Sequence, residues 1–195
     1  MNVQFTDKID SIFKSTLLLI KDHGFHGTPM SQIAKHADVA IGTIYHYFPS
    51  KDDLMIELFH YCRRELYAYI FKHVNQDMPY KEQFYTVFKS FCTYHIDKRE
   101  HSCFFEQFYN SPYHEVIRSV ETEDGPYAQN AFSKFIQQGI NQQYIKPLDE
   151  KVIGSAYIGA AVTYAKNVVY GKIEFSEKQL TDLIDIIWTG IKNND

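Results

Sequence analysis

The stretch Gly24-Phe25-His26-Gly27-Thr28-Pro29-Met30-Ser31-Gln32-Ile33-Ala34-Lys35-His36-Ala37-Asp38-Val39-Ala40-Ile41-Gly42-Thr43-Ile44-Tyr45-His46-Tyr47-Phe48-Pro49-Ser50-Lys51 decides the fold. Ahead of it, Ile9, Phe13, Leu17 and Ile20 recur at helical spacing from Asp7 to His23, and Gly24 is a natural left-handed terminator. Thr28 can cap the free amides of a new helix, with Pro29 in a first turn that needs no N–H. That helix ends near Ala37, Asp38-Val39-Ala40 makes a tight turn, and Ile41 to Tyr47 forms a second short helix that Pro49-Ser50 breaks. Two short helices joined by three residues are what a helix-turn-helix needs to lay one helix in a major groove. Gly42 permits close approach of backbone to phosphate. Thr43, Tyr45, His46 and Tyr47 crowd hydrogen-bonding groups onto a helix anchored by Ile44 and Phe48. Tyr45 and Tyr47, two apart on a helix, point in different directions, so both cannot be fully buried. Lys51 opens the next helix, where its ammonium and the free amides both suit a phosphate.

Outward from this stretch the chain reads as helical almost throughout, with apolar residues three and four apart and no strict alternation. The pattern predicts helices from Lys51 to Val74, from Tyr80 to Ile96, within Lys98 to Pro112, and from Tyr127 to Gln142 after a turn at Glu121 to Pro126. Asp149 caps a helix to Tyr170, and Ser176 with Gln179 forms a capping box for the last helix, ending near Lys192. At 195 residues, 45% apolar and 23% charged, the chain can build an ample core without disulfide or metal staples. No run of about 18 apolar residues is present to span a bilayer, and the first residues lack the blocks of a signal peptide, so a cytoplasmic, membrane-free protein is expected. Cys62, Cys92 and Cys103 are odd in number and unpaired in spacing, which fits reduced, inert thiols. His95, His101, Cys103 and His114 match no standard metal spacing, and no cofactor is expected.

The runs Gly24 to Ala34 and Gly42 to Lys51 closely resemble the TetR family of one-component transcriptional regulators. The resemblance implies an all-α chain: a three-helix DNA-binding head over residues 1–50 and a larger helical body, 51–195, for effector binding and dimerisation. It implies no catalytic activity. By position it places Met30, Ser31, Ile41, Gly42, Thr43, Tyr45, His46, Tyr47 and Lys51 nearest a pseudo-palindromic double-stranded operator. A homodimer would set two heads in successive major grooves about 34 Å apart, and an effector would act by preferring the DNA-incompetent state. Two departures stand out. Asp38 replaces the usual glycine but tolerates a left-handed conformation. Ala40 replaces the usual Ser or Thr cap, which costs that helix about 1 kcal/mol. The head is neutral, with Lys8, Lys14, Lys21 and Lys35 against Asp7, Asp10, Asp22 and Asp38 and no Arg. Operator binding is therefore expected to depend only weakly on salt. A carrier or sequestering protein with a degenerate head is the alternative.

Aromatic residues are concentrated beyond the head, with sixteen Phe or Tyr between Phe59 and Tyr113. Phe84, Phe88, Phe91 and Tyr94 share a face, Phe104, Phe105 and Phe108 repeat the pattern, and Tyr109 adjoins them. Together with Tyr164 they are candidates to line an apolar effector pocket, the plain alternative being a packed aromatic core. Tyr94, His95, Cys103, Gln107, Tyr109 and Tyr164 are its candidate polar handles. The segment 149–170 is apolar on two faces and must be covered on both. Gly154, Ile158, Ala161 and Ala165, with Leu180, Ile184, Ile187 and Trp188 of the last helix, are the candidate two-fold interface, the alternative being an intramolecular core.

Overall fold

In the computed structural model the described residues are 3–75, 77–120 and 131–193, and they form ten helices. These are α1 (Val3–His23), α2 (Met30–His36), α3 (Ile41–Tyr47), α4 (Lys51–Ile70), α5 (Tyr80–Asp97), α6 (Arg99–Tyr109), α7 (Tyr113–Val120), α8 (Ala131–Asn141), α9 (Glu150–Val169) and α10 (Glu177–Ile191). The all-helical reading holds, and the pairing of Ile145 with Lys192 is an isolated bridge. The turn predicted at Glu121 to Pro126 and the helix start at Tyr127 lie outside the described residues. The sequence pattern assigned nothing to 113–120, where α7 forms, its Glu115 amide donating to the Pro112 carbonyl at 3.1 Å.

Local signals explain most helix ends. Gly24 adopts φ 71° and its amide closes α1 on the Ile20 carbonyl at 2.8 Å. Asp38 takes φ 53°, the left-handed turn conformation expected of it. Asp149 accepts from the Lys151 amide, and the Ser176 hydroxyl accepts from the Gln179 amide. Thr28 differs from expectation. Its hydroxyl donates back to the Gly24 carbonyl at 2.8 Å, leaving Pro29 in the N-cap position of α2, without a side-chain cap. The buried Thr28 side chain is thus spent on the turn before α2. A reciprocal capping box opens α4 instead: the Ser50 amide donates to Asp53, and the Asp53 amide to the Ser50 hydroxyl.

The chain divides into two compact units, residues 1–63 with 98–122, and residues 64–97 with 123–195. In the first unit α1, α2 and α3 bury Ile12, Phe13, Leu17, Ile20, Ile33, Ala34, Ile44 and Phe48, and α6 packs along α1. Phe59 of α4 stacks on Phe108 at 4.3 Å between ring centroids, and Phe25 lies against Phe104 at 5.6 Å and Tyr113 at 5.7 Å.

In the second unit α5 runs against α9, with α8 and α10 alongside. Tyr157 sits at its centre, its ring 4.9 Å from Phe84, 4.7 Å from Phe88 and 4.9 Å from Phe132, its hydroxyl donating to the Phe84 carbonyl. Tyr80 stacks between Phe135 and Tyr144 and lies so close over Gly139 that any Cβ there would collide with its hydroxyl. The candidate interface residues separate here. Ala161, Ala165, Leu180, Ile184 and Ile187 are buried within this unit, so the apolar stripe of α10 serves the protomer's own core. Gly154 and Trp188 are half-buried, Trp188 against Phe84 at 5.2 Å. The large apolar side chains left in water on α9 and α10 are Val152, Ile158 and Ile186, the last 70% exposed.

Candidate nucleic-acid interface

The seven residues of α3 divide by exposure. Ile44 is fully buried and Phe48 closes the helix from below, which pins α3 to the first unit's core. On the open side lie Ile41, Gly42, Tyr45 and His46, with Thr43 and Tyr47 half-buried. Ile41 is 43% and Tyr45 50% exposed, so the expected divergence of Tyr45 and Tyr47 is realised. Tyr47 packs edge-on against Phe48, and the His46 ring lies 5.4 Å from it. A Cβ built on Gly42 meets nothing within 4 Å, so the surface beside it is open. At the start of α2, Ser31 is exposed, and so is Gln32, which the sequence reading did not single out. Met30 departs from expectation: only 7% of it is exposed, so it belongs to the core.

The two short helices are held in place from α1, α4 and α6. The Ser11 hydroxyl donates to the Ala37 carbonyl at 3.1 Å, and His36 Nδ1 lies 3.0 Å from the Ser15 hydroxyl, which fixes the end of α2 on α1. The turn at Phe25 is held at both of its peptide groups. Its amide donates to Gln107 Oε1 at 3.0 Å, and its carbonyl accepts from the Lys51 ammonium. Gln107 Nε2 also donates to the Ile20 carbonyl at 3.2 Å, tying the end of α1 to α6. Partial burial holds the Lys51 ammonium below its ordinary pKa, with Asp52 pulling the other way. The Tyr113 hydroxyl donates to Asp52 at 2.9 Å; burial first, and then that bond, push its pKa up to about 12. Gln107 figured in the sequence as an effector handle. Its role as a brace depends on a partner 82 residues away, which no local signal reveals.

The candidate effector residues are shared between the units. Phe104, Phe105, Phe108 and Tyr109 belong to the first, Tyr109 being 58% exposed and the three phenylalanines buried. Phe84, Phe88, Phe91, Tyr94 and Tyr164 belong to the second, all buried, and the Tyr164 hydroxyl both donates to and accepts from the Ser176 backbone. Among the described residues no three His, Cys, Asp or Glu side chains gather as metal ligands; the His114 side chain lies outside them. Nor, among the described residues, is any helix long and apolar enough to cross a membrane.

Residues 12–58 match the description "Bacterial regulatory proteins, tetR family", and residues 79–192 match "Tetracyclin repressor-like, C-terminal domain". The chain belongs to the TetR family. It is 22% identical over 188 residues to an uncharacterized HTH-type transcriptional regulator of Haemophilus influenzae, covering 96% of this chain and 97% of the relative. Its fold is that of a TetR-family transcription regulator from Marinobacter aquaeolei VT8, with a TM-score of 0.85 at 18% identity over all of both chains. It is also similar to the transcriptional regulator FadR from Bacillus subtilis, solved in complex with stearoyl-CoA, with a TM-score of 0.73 at 19% identity over 93% of this chain and 98% of that one. The chain is therefore that of a DNA-binding transcriptional regulator, and its exposed α3 carries no Arg or Lys along its length.

Proposed function

We propose that this TetR-family regulator is a cytoplasmic homodimeric repressor that leaves a pseudo-palindromic operator when an apolar small molecule binds. In this reading residues 1–50 are the DNA-binding head and residues 51–195 the effector-binding and dimerisation part. The observation that carries it is the face of α3, where Ile41, Gly42, Tyr45 and His46 stand free of the core beside half-buried Thr43 and Tyr47. Ser31, Gln32 and Lys51 flank it as candidate phosphate contacts, the ammonium retaining donors beyond its bond to Phe25. Dimerisation is supported by the uncharged run from Val152 to Tyr164 on α9, where Val152, Ile158 and Gly159 are exposed, and by Ile186 on α10. An apolar effector is favoured by the concentration of aromatic side chains in the chain and by the stearoyl-CoA with which the similar FadR protein was solved. The effector must bind the operator-incompetent state more tightly, and its leverage equals that difference in affinity. Helix α4, whose residues fall in both units, is the proposed element through which that preference reaches the head.

A gel-shift assay on the DNA upstream of the protein's own gene tests this reading. Wild type is expected to retard that DNA, a Tyr45→Ala/Lys51→Ala double variant to fail, and stearoyl-CoA, as a probe with a long apolar chain, to release the complex. With a neutral head the affinity should fall only gently with salt, each neutralised phosphate adding about −0.9 to the slope of log affinity against log salt. Ligand uptake without any DNA retardation would turn the reading to a carrier.

A further inference from the structure

The major groove carries one apolar group, the 5-methyl of thymine, among an otherwise polar set of base edges. Residues at the start of a recognition helix are those that reach these edges. Here the first residue of α3 is Ile41, and it stands 43% exposed while Ile44, three positions on, is completely buried. Gly42 beside it brings no side chain to shield it, and the space next to Gly42 is open. Tyr45, one helical turn along the same face, is 50% exposed and continues the apolar strip. The helix offers neither guanidinium nor ammonium to read guanine, the partner of those groups in the groove. A branched aliphatic side chain held in water at this position is matched chemically by a methyl group and by no polar base edge.

We infer that Ile41 is a specificity-determining residue that reads the 5-methyl group of a thymine at one position in each operator half-site, with the Tyr45 ring closing one side of the contact. This rests on the regulator reading above. Burial of one methyl group is worth about a fourfold change in affinity, so the effect is modest per half-site and multiplies when both are altered.

The test replaces each thymidine of the operator in turn by deoxyuridine, which keeps the pairing and removes only the methyl. The operator itself is first located by footprinting on the DNA upstream of the protein's own gene. Wild type is expected to lose about fourfold at one symmetric position, and about fifteenfold when both half-sites are substituted. Ile41→Ala, a change at an exposed site, is expected to bind the thymine operator about as weakly as wild type binds the deoxyuridine operator, and to be indifferent to the substitution. Ile41→Val should retain the sensitivity. If wild type binds but no deoxyuridine position matters, or if Ile41→Ala stays equally sensitive, the inference is overturned while the regulator reading stands. Failure of wild type to bind any such DNA would overturn both.

Discussion

The two units build their cores from the same residue types and connect them to different things. In the first, Phe104 and Phe108 of α6 meet Phe25 and Phe59, and between them Gln107 bonds the backbone at Ile20 and Phe25. That aromatic cluster is wired to the turn from which α2 departs, so it bears on where α2 and α3 stand. In the second, the rings of Phe84, Phe88 and Phe132 surround Tyr157, and the hydroxyls of Tyr157 and Tyr80 end on the carbonyls of Phe84 and Phe135. There the aromatic packing closes on itself. An aromatic-rich run is therefore no guide to a single pocket; what its polar neighbours bond to decides what it does.

The strongest way to break this contrast is to open equivalent holes in the two cores. Phe104→Ala and Phe88→Ala each delete a fully buried ring, and each should cost about 3–5 kcal/mol in urea unfolding. DNA affinity, measured under conditions where both variants remain folded, should fall only for Phe104→Ala. Equal loss in both would show that the head is not positioned by the first unit's aromatics. A gentler pair sharpens the same point. Gln107→Leu strips the Phe25 amide of its acceptor and should cost about 1–3 kcal/mol, with faster hydrogen exchange at Phe25 and weaker operator binding. Tyr157→Phe loses one buried hydroxyl bond, about 1 kcal/mol, and should leave operator binding untouched.

A pH dependence separates the units further. His101, buried in the first, has its pKa lowered from 6.5, chiefly by burial, with Glu100 raising it and Lys98 lowering it. The folded state thus holds this proton less tightly than the unfolded chain does. Stability contributed by the neutral ring is complete above 6.5 and is lost as the pH falls below 6.5 toward the folded value. Urea midpoints of wild type should decline over that range, and His101→Gln should flatten the decline. An unchanged slope would remove His101 from the account.

The first fifty residues were the most legible part of the chain, because their signals are local: Gly24 and Asp38 take the left-handed conformations their chemistry allows, and Ile44 anchors a helix whose other side is left exposed. Thr28 misled because a hydroxyl can bond backward as easily as forward. The α10 stripe misled for another reason. A periodic apolar face states that a helix is covered, not by what, and Leu180, Ile184 and Ile187 are covered by their own unit. Of the site, the face of α3 was readable from residue types, whereas the grip of Gln107 and Lys51 on Phe25 was not, since it joins residues 82 and 26 positions apart. The return of α6 to α1 is a tertiary event, and periodicity carries no information on which helices come back together.

The smallest effect concerns the thiols, which report on the two cores. Cys62 and Cys92 are buried, and burial pushes the Cys92 thiol up to about 12. Its Sγ lies 3.8 Å from the Ala161 carbonyl, deep between α5 and α9. Cys103 is half-buried, and its Sγ lies 3.3 Å from Gln107 Nε2. Since the thiolate is the nucleophile, iodoacetamide at neutral pH should label Cys103 first in the folded protein, and all three only after unfolding. The adduct would crowd the Gln107 amide at its Nε2, so labelled protein should lose some operator affinity, less than Gln107→Leu does. Mass spectrometry of the labelled chain locates the adduct, and a gel shift on the same sample reads the loss. Full affinity with Cys103 stoichiometrically labelled would show that the brace tolerates displacement, and would confine its role to stability.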